Sequence, residues 1–355
     1  MDVQRIGNYR KEIMGLAAVW IFLYHVWDPV YNEKMLLLFR EIEWLIQGLG
    51  YCGVEIFLFL SGMGLVFAIH KENTKTFYFR RWKRVYPSFF IWFTLSTLIR
   101  SDKMIFMEYL GRITFYSNWA EDLLVYKWYV AAILLLYLCF PIYYYIFKKQ
   151  KNCVFFTVCL IIAENILLIV FSSFIRSDLF LLLDRIPIFL VGILTGELCL
   201  ERKNTLSFKF EKIHWILMFI LMLGALESDF FLHLRDLSSG GERIKNMLNL
   251  IIAVCICVVE AKLLDVLSRY WWSKGIRRFL AFIGSLSLEF YLTHELISLK
   301  VKSYNVQLVK WNIFNQILIL IICFCLSLAA AWVVKKTVDI VEQSLTCIYR
   351  NVKIS

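Results

Sequence analysis

Residues 53–69 read GVEIFLFLSGMGLVFAI, and Glu55 is their only charged side chain. They close a longer apolar run, 44–69, which is long enough for a membrane crossing, since a transmembrane helix needs about 20 predominantly apolar residues. The apolar residues are continuous rather than alternating with polar ones, which argues against a strand of a membrane β-barrel. This stretch therefore predicts a transmembrane helix.

The same pattern extends over the whole chain. Its 355 residues are 60% hydrophobic and only 19% charged, whereas soluble globular domains are roughly 45–50% apolar and about 25% charged. This composition excludes a water-soluble enzyme, a nucleic-acid regulator and a receptor with a single membrane span. The sequence predicts an all-α, polytopic membrane bundle of about ten transmembrane helices, with a single domain over 1–355 and no separate soluble domain. The predicted helices are 13–30, 44–69, 86–100, 126–147, 153–174, 179–200, 213–230, 247–266, 279–299 and 313–335.

The basic residues predict the orientation of this bundle. If the N-terminus is cytoplasmic, the 39 Lys and Arg residues divide into 25 on the cytoplasmic side and 14 on the opposite side. Positive charge concentrates on the cytoplasmic side of membrane proteins, so both termini are expected in the cytoplasm. The same bias accounts for the net charge of +11 without nucleic acid as a partner.

Two ionisable side chains inside the predicted helices are candidates for catalysis, because charge at membrane depth is costly and is often functional. His25 lies near the end of the first predicted helix, and an imidazole can act as a general base or a nucleophile at neutral pH. Glu55 is its expected partner, since a carboxylate can fix the tautomer of a histidine and stabilise the imidazolium. Alternatively, His25 is an interfacial side chain, and Ser61 and Gly62 serve only to pack helices.

Arginine residues cluster in the loop expected after the second predicted helix, in the segment FYFRRWKRVYP, residues 77–87. Arg80, Arg81 and Arg84 could bind a donor rich in phosphate, because guanidinium groups form bidentate hydrogen bonds with phosphate. Alternatively, they anchor this segment at anionic lipid headgroups, as juxtamembrane basic residues often do. The sequence leaves both interpretations open.

Three further polar side chains are candidates for the lining of a cavity. Arg185 follows Asp184 at the start of the sixth predicted helix, and adjacent residues on a helix point about 100° apart. Arg185 is therefore expected to contact another group, either an acceptor or a carboxylate such as Glu55. Tyr291 and His294 lie one helical turn apart and could line the same cavity, or they could only join helices by hydrogen bonds.

The ten cysteines are scattered, and most of them lie in apolar runs. No CxxC or Cys/His spacing typical of a zinc site is present. The cysteines are therefore predicted to be small apolar side chains, and neither a metal site nor a disulfide is expected.

Six segments, in this order along the chain, resemble the acyltransferase 3 family of bacterial membrane acyltransferases. They are GLAAVWIFLYH (15–25), GVEIFLFLSGM (53–63), FYFRRWKRVYP (77–87), WYVAAILLLYLCFP (128–141), RIPIFLVGILTG (185–196) and SLSLEFYLTHELI (285–297). The chain departs from the family in one place. Many members carry an arginine with ten residues between it and the histidine of the first helix, and here that position is Met14. Arg10 lies one helical turn earlier.

The resemblance implies acyl transfer in the bacterial cytoplasmic membrane, usually of an acetyl group. The donor would be a cytoplasmic acyl-CoA, and the acceptor would be a hydroxyl of a cell-surface glycan or of its lipid-linked precursor. His25 and Glu55 are the expected catalytic residues, with His25 as a general base or as the carrier of an acyl-imidazole. The remaining expected site residues are Arg10, Arg80, Arg81 and Arg84 for the donor, and Ser61, Trp128, Arg185, Tyr291 and His294 for the cavity or the acceptor. No permanently bound cofactor is expected, and the other expected partner is membrane lipid.

A transporter without acyl-transfer chemistry is the competing prediction. About ten helices, buried carboxylates and an intramembrane histidine would also suit proton-coupled export. The sequence shows no internal repeat of the kind that many transporters contain, and the six ordered segments favour the acyltransferase.

Overall fold

The computed structural model describes residues 2–27, 49–50, 52–100, 104–116, 128–171, 177–201, 220, 224, 239–304 and 312–354. Every regular element in these ranges is an α-helix, which confirms the predicted all-α class. The helices are α1 (Asp2–Asn8), α2 (Arg10–Val26), α3 (Cys52–Ile69), α4 (Thr74–Arg100), α5 (Phe106–Ile113), α6 (Trp128–Lys148), α7 (Cys153–Phe171), α8 (Ser177–Leu183), α9 (Ile186–Glu201), α10 (Ser239–Leu267), α11 (Ser273–Ser285), α12 (Ser287–Ser303) and α13 (Asn312–Ile354).

Five described segments are long and apolar enough to cross a membrane. They are Cys52–Ile69, Trp128–Lys148, Cys153–Phe171, Leu179–Glu201 and Asn315–Ser344. This agrees with a membrane protein. The number of about ten crossings stays a prediction, because almost all of the seventh predicted helix, 213–230, lies outside the described residues.

Helix α4 begins earlier than the predicted span 86–100. It starts at Thr74, after Asn73, whose side-chain oxygen accepts a hydrogen bond from the backbone N–H of Thr76 at 2.8 Å. This is the usual capping interaction at a helix N-terminus. The basic segment 77–85 is therefore helical, so its side chains point in directions set by the helical period.

Two predicted spans are each broken into two helices. The span 179–200 breaks between α8 and α9 at Asp184 and Arg185. Pro187 follows this break, and a proline cannot donate the backbone hydrogen bond that would continue α8. The span 279–299 breaks at Leu286, between α11 and α12.

Glycine residues bring two pairs of helices into backbone contact. A side chain at Gly284 of α11 would overlap the carbonyl of Lys11 in α2, and one at Gly15 of α2 would overlap the carbonyl of Leu280. Helices α3 and α9 touch in the same way through Gly62 and Gly192. Small residues at helix contacts are typical of membrane bundles, because they let backbones approach closely. These contacts place α2 and α3 at the centre of the described part of the bundle.

Candidate active site

A cavity of about 370 Å³ opens beside the first turns of α2. Helices α3, α4, α6, α11, α12 and α13 form its other walls. Its described lining holds five basic side chains and no carboxylate, which makes it strongly electropositive. The basic residues are Arg10, Lys11, Arg81, Arg84 and Lys335. We call this the cationic cavity.

Two of these arginines have donors without partners. The guanidinium of Arg10 lies against Gly64, where an added side chain would approach it to 3.4 Å. The Nε atoms of Arg10 and Arg81 are buried and have no hydrogen-bond partner among the described residues. Buried polar atoms in native structures are nearly always hydrogen-bonded. Unmet donors on cationic side chains therefore indicate a site for an anion.

Arg84 is held by a buried carboxylate. Its Nη1 donates to Oε1 of Glu289 at 3.1 Å, and the Ser88 hydroxyl donates to the same oxygen at 2.8 Å. Its Nη2 donates to the carbonyl of Ser285 at 3.2 Å, at the C-terminal end of α11. Glu289 is completely buried. These bonds fix the direction of Arg84 while about 39% of its side chain stays exposed.

The helical period separates Arg80 from the other two arginines of its segment. Arg81 and Arg84 are three residues apart, so they share a face of α4, whereas Arg80 points about 100° away from Arg81. Arg80 forms an ion pair with Glu72 and does not line the cationic cavity. The expectation that all three bind the donor therefore finds support for Arg81 and Arg84 only.

Hydroxyl and aromatic side chains continue from the cavity toward the far end of α2. Ser61 and Tyr129 both line the cavity. The ring of Tyr129 packs on that of Tyr291 at 5.4 Å between centroids, and Tyr291 packs on His294 at 5.9 Å. Trp128 packs edge-on against Tyr129 but does not itself line the cavity.

His294 contacts His25 directly, with 3.2 Å between His294 Nε2 and His25 Nδ1. Each Nδ1 also lies near a backbone carbonyl, that of Ile21 at 2.9 Å for His25 and that of Phe290 at 3.1 Å for His294. A carbonyl oxygen only accepts, so both Nδ1 atoms carry hydrogen, and His294 Nε2 accepts from His25. A neutral His25 then has its lone pair on Nε2, where it can take a proton. His294 is buried, whereas His25 is exposed.

Glu55 does not pair with His25, which corrects the expected catalytic pair. Its Oε1 accepts a hydrogen bond from Nη1 of Arg185 at 2.7 Å, so the alternative partner considered for Arg185 is found. The reason is the direction of Glu55 on α3. Gly53, two residues or about 200° away, faces Ala17 and Ile21 of α2, whereas Gly62, seven residues or about two turns away, faces α9. Glu55 therefore points toward Arg185 and not toward His25.

The site thus has two parts at opposite ends of α2. Arg10 and His25 are 15 residues apart, which corresponds to about 22 Å along a helix. The predicted site residues that line the cavity are Arg10, Arg81, Arg84, Ser61 and Tyr291. His294 contacts His25 instead. Arg80, Trp128 and the Glu55–Arg185 pair lie outside the cavity lining. The sequence reasoning did not select Glu289, Lys335 or Tyr129. Glu289 was visible in the sequence only as an acidic residue inside the predicted helix 279–299, and nothing there connects it to Arg84.

The arrangement combines an anion-binding cavity with a histidine able to accept a proton. Met14, at the position where many family members carry arginine, lines the cationic cavity together with Arg10, one turn earlier. The model of a family described as an acyltransferase domain matches residues 15–336, nearly the whole chain, and this favours acyl transfer over transport. No curated protein and no solved structure matches the chain. The family match confirms the resemblance seen in the six segments, and the chain belongs to the acyltransferase 3 family.

Proposed function

We propose that this acyltransferase takes an acetyl group from cytoplasmic acetyl-CoA and transfers it to a hydroxyl of a cell-surface glycan or of its lipid-linked precursor. One observation carries the proposal. The cationic cavity lies at the N-terminal end of α2, and the His25–His294 pair lies near its other end, with packed tyrosines between them. This layout suits a donor with anionic phosphates at one end and a reactive thioester at the other.

The excess of basic residues on one side favours a cytoplasmic location for the N-terminal end of α2, and acyl-CoA is made in the cytoplasm. The phosphates of the donor would then bind Arg10, Arg81 and Arg84, whose guanidinium groups suit phosphate oxygens. Its pantetheine arm, which is long and uncharged, would extend past Ser61, Tyr129 and Tyr291 toward His25. The acceptor would approach His25 from the opposite side of the membrane.

In the transfer step, the acceptor hydroxyl oxygen attacks the thioester carbonyl, while His25 Nε2 takes the hydroxyl proton. The C–O bond of the ester forms, the C–S bond breaks, and the proton goes to the departing thiolate. The ring of His25 is oriented for this step because its Nδ1–H donates to His294, as a carboxylate orients the histidine of a catalytic triad. Formation of an acyl-imidazole on His25 before attack by the hydroxyl gives the same products.

Membrane vesicles of defined orientation test this function. Inverted vesicles expose the cytoplasmic face, so acetyl-CoA labelled in its acetyl group should label their glycan fraction, whereas intact right-side-out vesicles should not respond to external acetyl-CoA. His25→Ala should abolish the labelling. His70→Ala is the matched control, because His70 hydrogen-bonds to Tyr144 outside the cationic cavity. Labelling no higher than in vesicles without the protein would contradict the proposal.

A further inference from the structure

A second cavity adjoins the cationic cavity. Its volume is about 380 Å³, within the range of small-molecule sites. Arg81 and Tyr137 line both cavities and therefore form their common boundary. Apart from Arg81, the described lining of the second cavity carries no charge, and most of it is aromatic or aliphatic. Its main side chains are Tyr78, Trp82, Tyr86, Phe115, Leu134 and Leu138.

The aromatic rings of this second cavity present flat surfaces. Trp82 and Tyr86 stack with centroids 5.0 Å apart and planes 18° from parallel. The Tyr86 hydroxyl donates to the carbonyl of Ile113 at 3.3 Å, and its ring contacts Phe115 edge-on at 6.4 Å. The Tyr78 hydroxyl donates to the carbonyl of Leu138 at 3.0 Å. Because both hydroxyls are bonded to backbone, the orientation of the rings is fixed.

Arg81 lies at the boundary between the cationic cavity and the mainly apolar second cavity. Its guanidinium lies over the ring of Phe77, 5.5 Å from the centroid, and its buried Nε lacks a partner among the described residues. A ligand that fits both cavities therefore needs a flat apolar group directly beside an anionic group. A nucleotide has this combination, since its base stacks on aromatic rings and its phosphates bind arginine.

We propose that the second cavity binds the adenine ring of the acyl-CoA donor while the cationic cavity binds its phosphates. This inference rests on the proposed function, since it names how the same donor is recognised. The base would stack on the Trp82–Tyr86 pair. Arg81 would contact the phosphate nearest to the adenosine. The adenosine then supplies affinity far from the reacting thioester, and this affinity brings the donor to the site.

A comparison of two donors tests the proposal on the purified full-length protein. Acetyl-CoA carries the adenosine, whereas acetyl-4′-phosphopantetheine carries the same thioester arm and a phosphate without it. The wild-type protein should prefer acetyl-CoA, measured as the ratio of kcat/KM for the two donors. Trp82→Leu should reduce this ratio at least about fivefold, the lower end of what a base–aromatic stacking contact contributes.

Two further variants are controls. Trp82→Phe retains a ring and should keep most of the preference for acetyl-CoA. Phe79→Leu changes an exposed aromatic residue of the same helix that lies outside the second cavity, and it should leave the ratio as in the wild type. Because each ratio compares two donors on one protein, partial misfolding of a variant cancels.

The possible outcomes separate this inference from the proposed function. A wild-type protein without preference between the two donors, or a Trp82→Leu variant with an unchanged ratio, would overturn the adenine site, and the second cavity would then suit a lipid chain. A wild-type protein that transfers acetyl from neither donor would instead overturn the proposed function itself.

Discussion

The two ends of α2 differ in whether the polar side chains beside them are hydrogen-bonded. Near Arg10, five basic side chains line one cavity, and the buried Nε atoms of two of them have no hydrogen-bond partner in the described part of the chain. Near His25, the structure pairs two imidazoles and anchors each on a backbone carbonyl. The first arrangement is costly until an anion arrives, whereas the second is already satisfied. One helix thus carries a part suited to binding and a part suited to reaction.

Two buried glutamates of the described chain, Glu55 and Glu289, bind arginine and repeat this contrast. Glu55 and Arg185 are both buried, so this ion pair is closed to ligands. Glu289 is buried as well, but its partner Arg84 remains partly exposed and lines the cationic cavity. The Glu55–Arg185 pair therefore stabilises the fold, whereas the Glu289–Arg84 pair orients a side chain that lines the cationic cavity.

The largest effect on the rate is expected from His25→Ala. A positioned general base contributes typically 10²–10⁴-fold to a rate, so kcat should fall by at least about 100-fold, while KM for acetyl-CoA should change little because the cationic cavity is intact. Steady-state kinetics in inverted vesicles measure both values. A variant whose KM rises while kcat is preserved would show that His25 belongs to binding.

Glu55→Ala should affect the fold rather than donor binding. It leaves Arg185 buried without Glu55, and breaking a buried ion pair costs about 3–5 kcal/mol of stability. We expect a lower thermal unfolding midpoint in detergent, with an unchanged KM for acetyl-CoA in the folded fraction. Arg185 also lies 3.6 Å from the buried Asp184. The triple variant Glu55→Gln/Asp184→Asn/Arg185→Met removes all three charges and should recover most of the lost stability. A normal midpoint for Glu55→Ala would contradict a structural role.

Arg81→Gln should weaken donor binding. A hydrogen bond to a charged group is worth about 1.5–3 kcal/mol, which corresponds to a rise of about tenfold or more in KM for acetyl-CoA. Arg80→Gln is the matched control, since Arg80 lies next to it in the chain but pairs with Glu72 outside the cavity. Equal effects of the two substitutions would show that both residues act only through membrane anchoring.

The smallest effect is expected from His294→Ala. A hydrogen bond between neutral groups contributes about 0.5–1.5 kcal/mol, so kcat should fall by roughly two- to tenfold, with no change in KM. A fall as large as that of His25→Ala would mean that His294 itself touches the reacting groups. An unchanged kcat would mean that it does not position His25.

The sequence predicted the helical class and the three arginines of the cationic cavity, Arg10, Arg81 and Arg84, together with Ser61 and Tyr291, because long apolar runs and clustered arginines are visible without a structure. Most of the other residues that line the cavity were not predicted. The sequence did not separate Arg80 from Arg81 and Arg84, because the segment 77–85 was expected to be a loop and is helical. If the segment had been expected to be helical, the period of 3.6 residues would have placed Arg80 on a different face from Arg81 and Arg84. The same period places Glu55 on one face of α3 with Gly62, but only the structure shows that this face meets α9 and not α2.

Other features depend on contacts that no local pattern shows. His25 and His294 lie 269 residues apart in the chain. The break at Leu286, which brings Ser285 and Glu289 to Arg84, falls inside an apolar run that was expected to be a single helix. The second cavity forms between α4, α6 and the end of α5, and α5 lies in a segment that was expected to be a loop.

The contact between Gly15 and Gly284 holds α2 in a fixed position beside the cationic cavity. Because the backbones of α2 and α11 touch there without intervening side chains, α2 cannot slide past the wall of the cationic cavity. The spacing of about 22 Å between the levels of Arg10 and His25 along α2 is then fixed by the backbone itself. If the proposed function holds, a donor would be selected by the length of the arm between its phosphates and its thioester, whatever acyl group it carries. An arm shortened by a few atoms would bind normally and yet fail to reach His25.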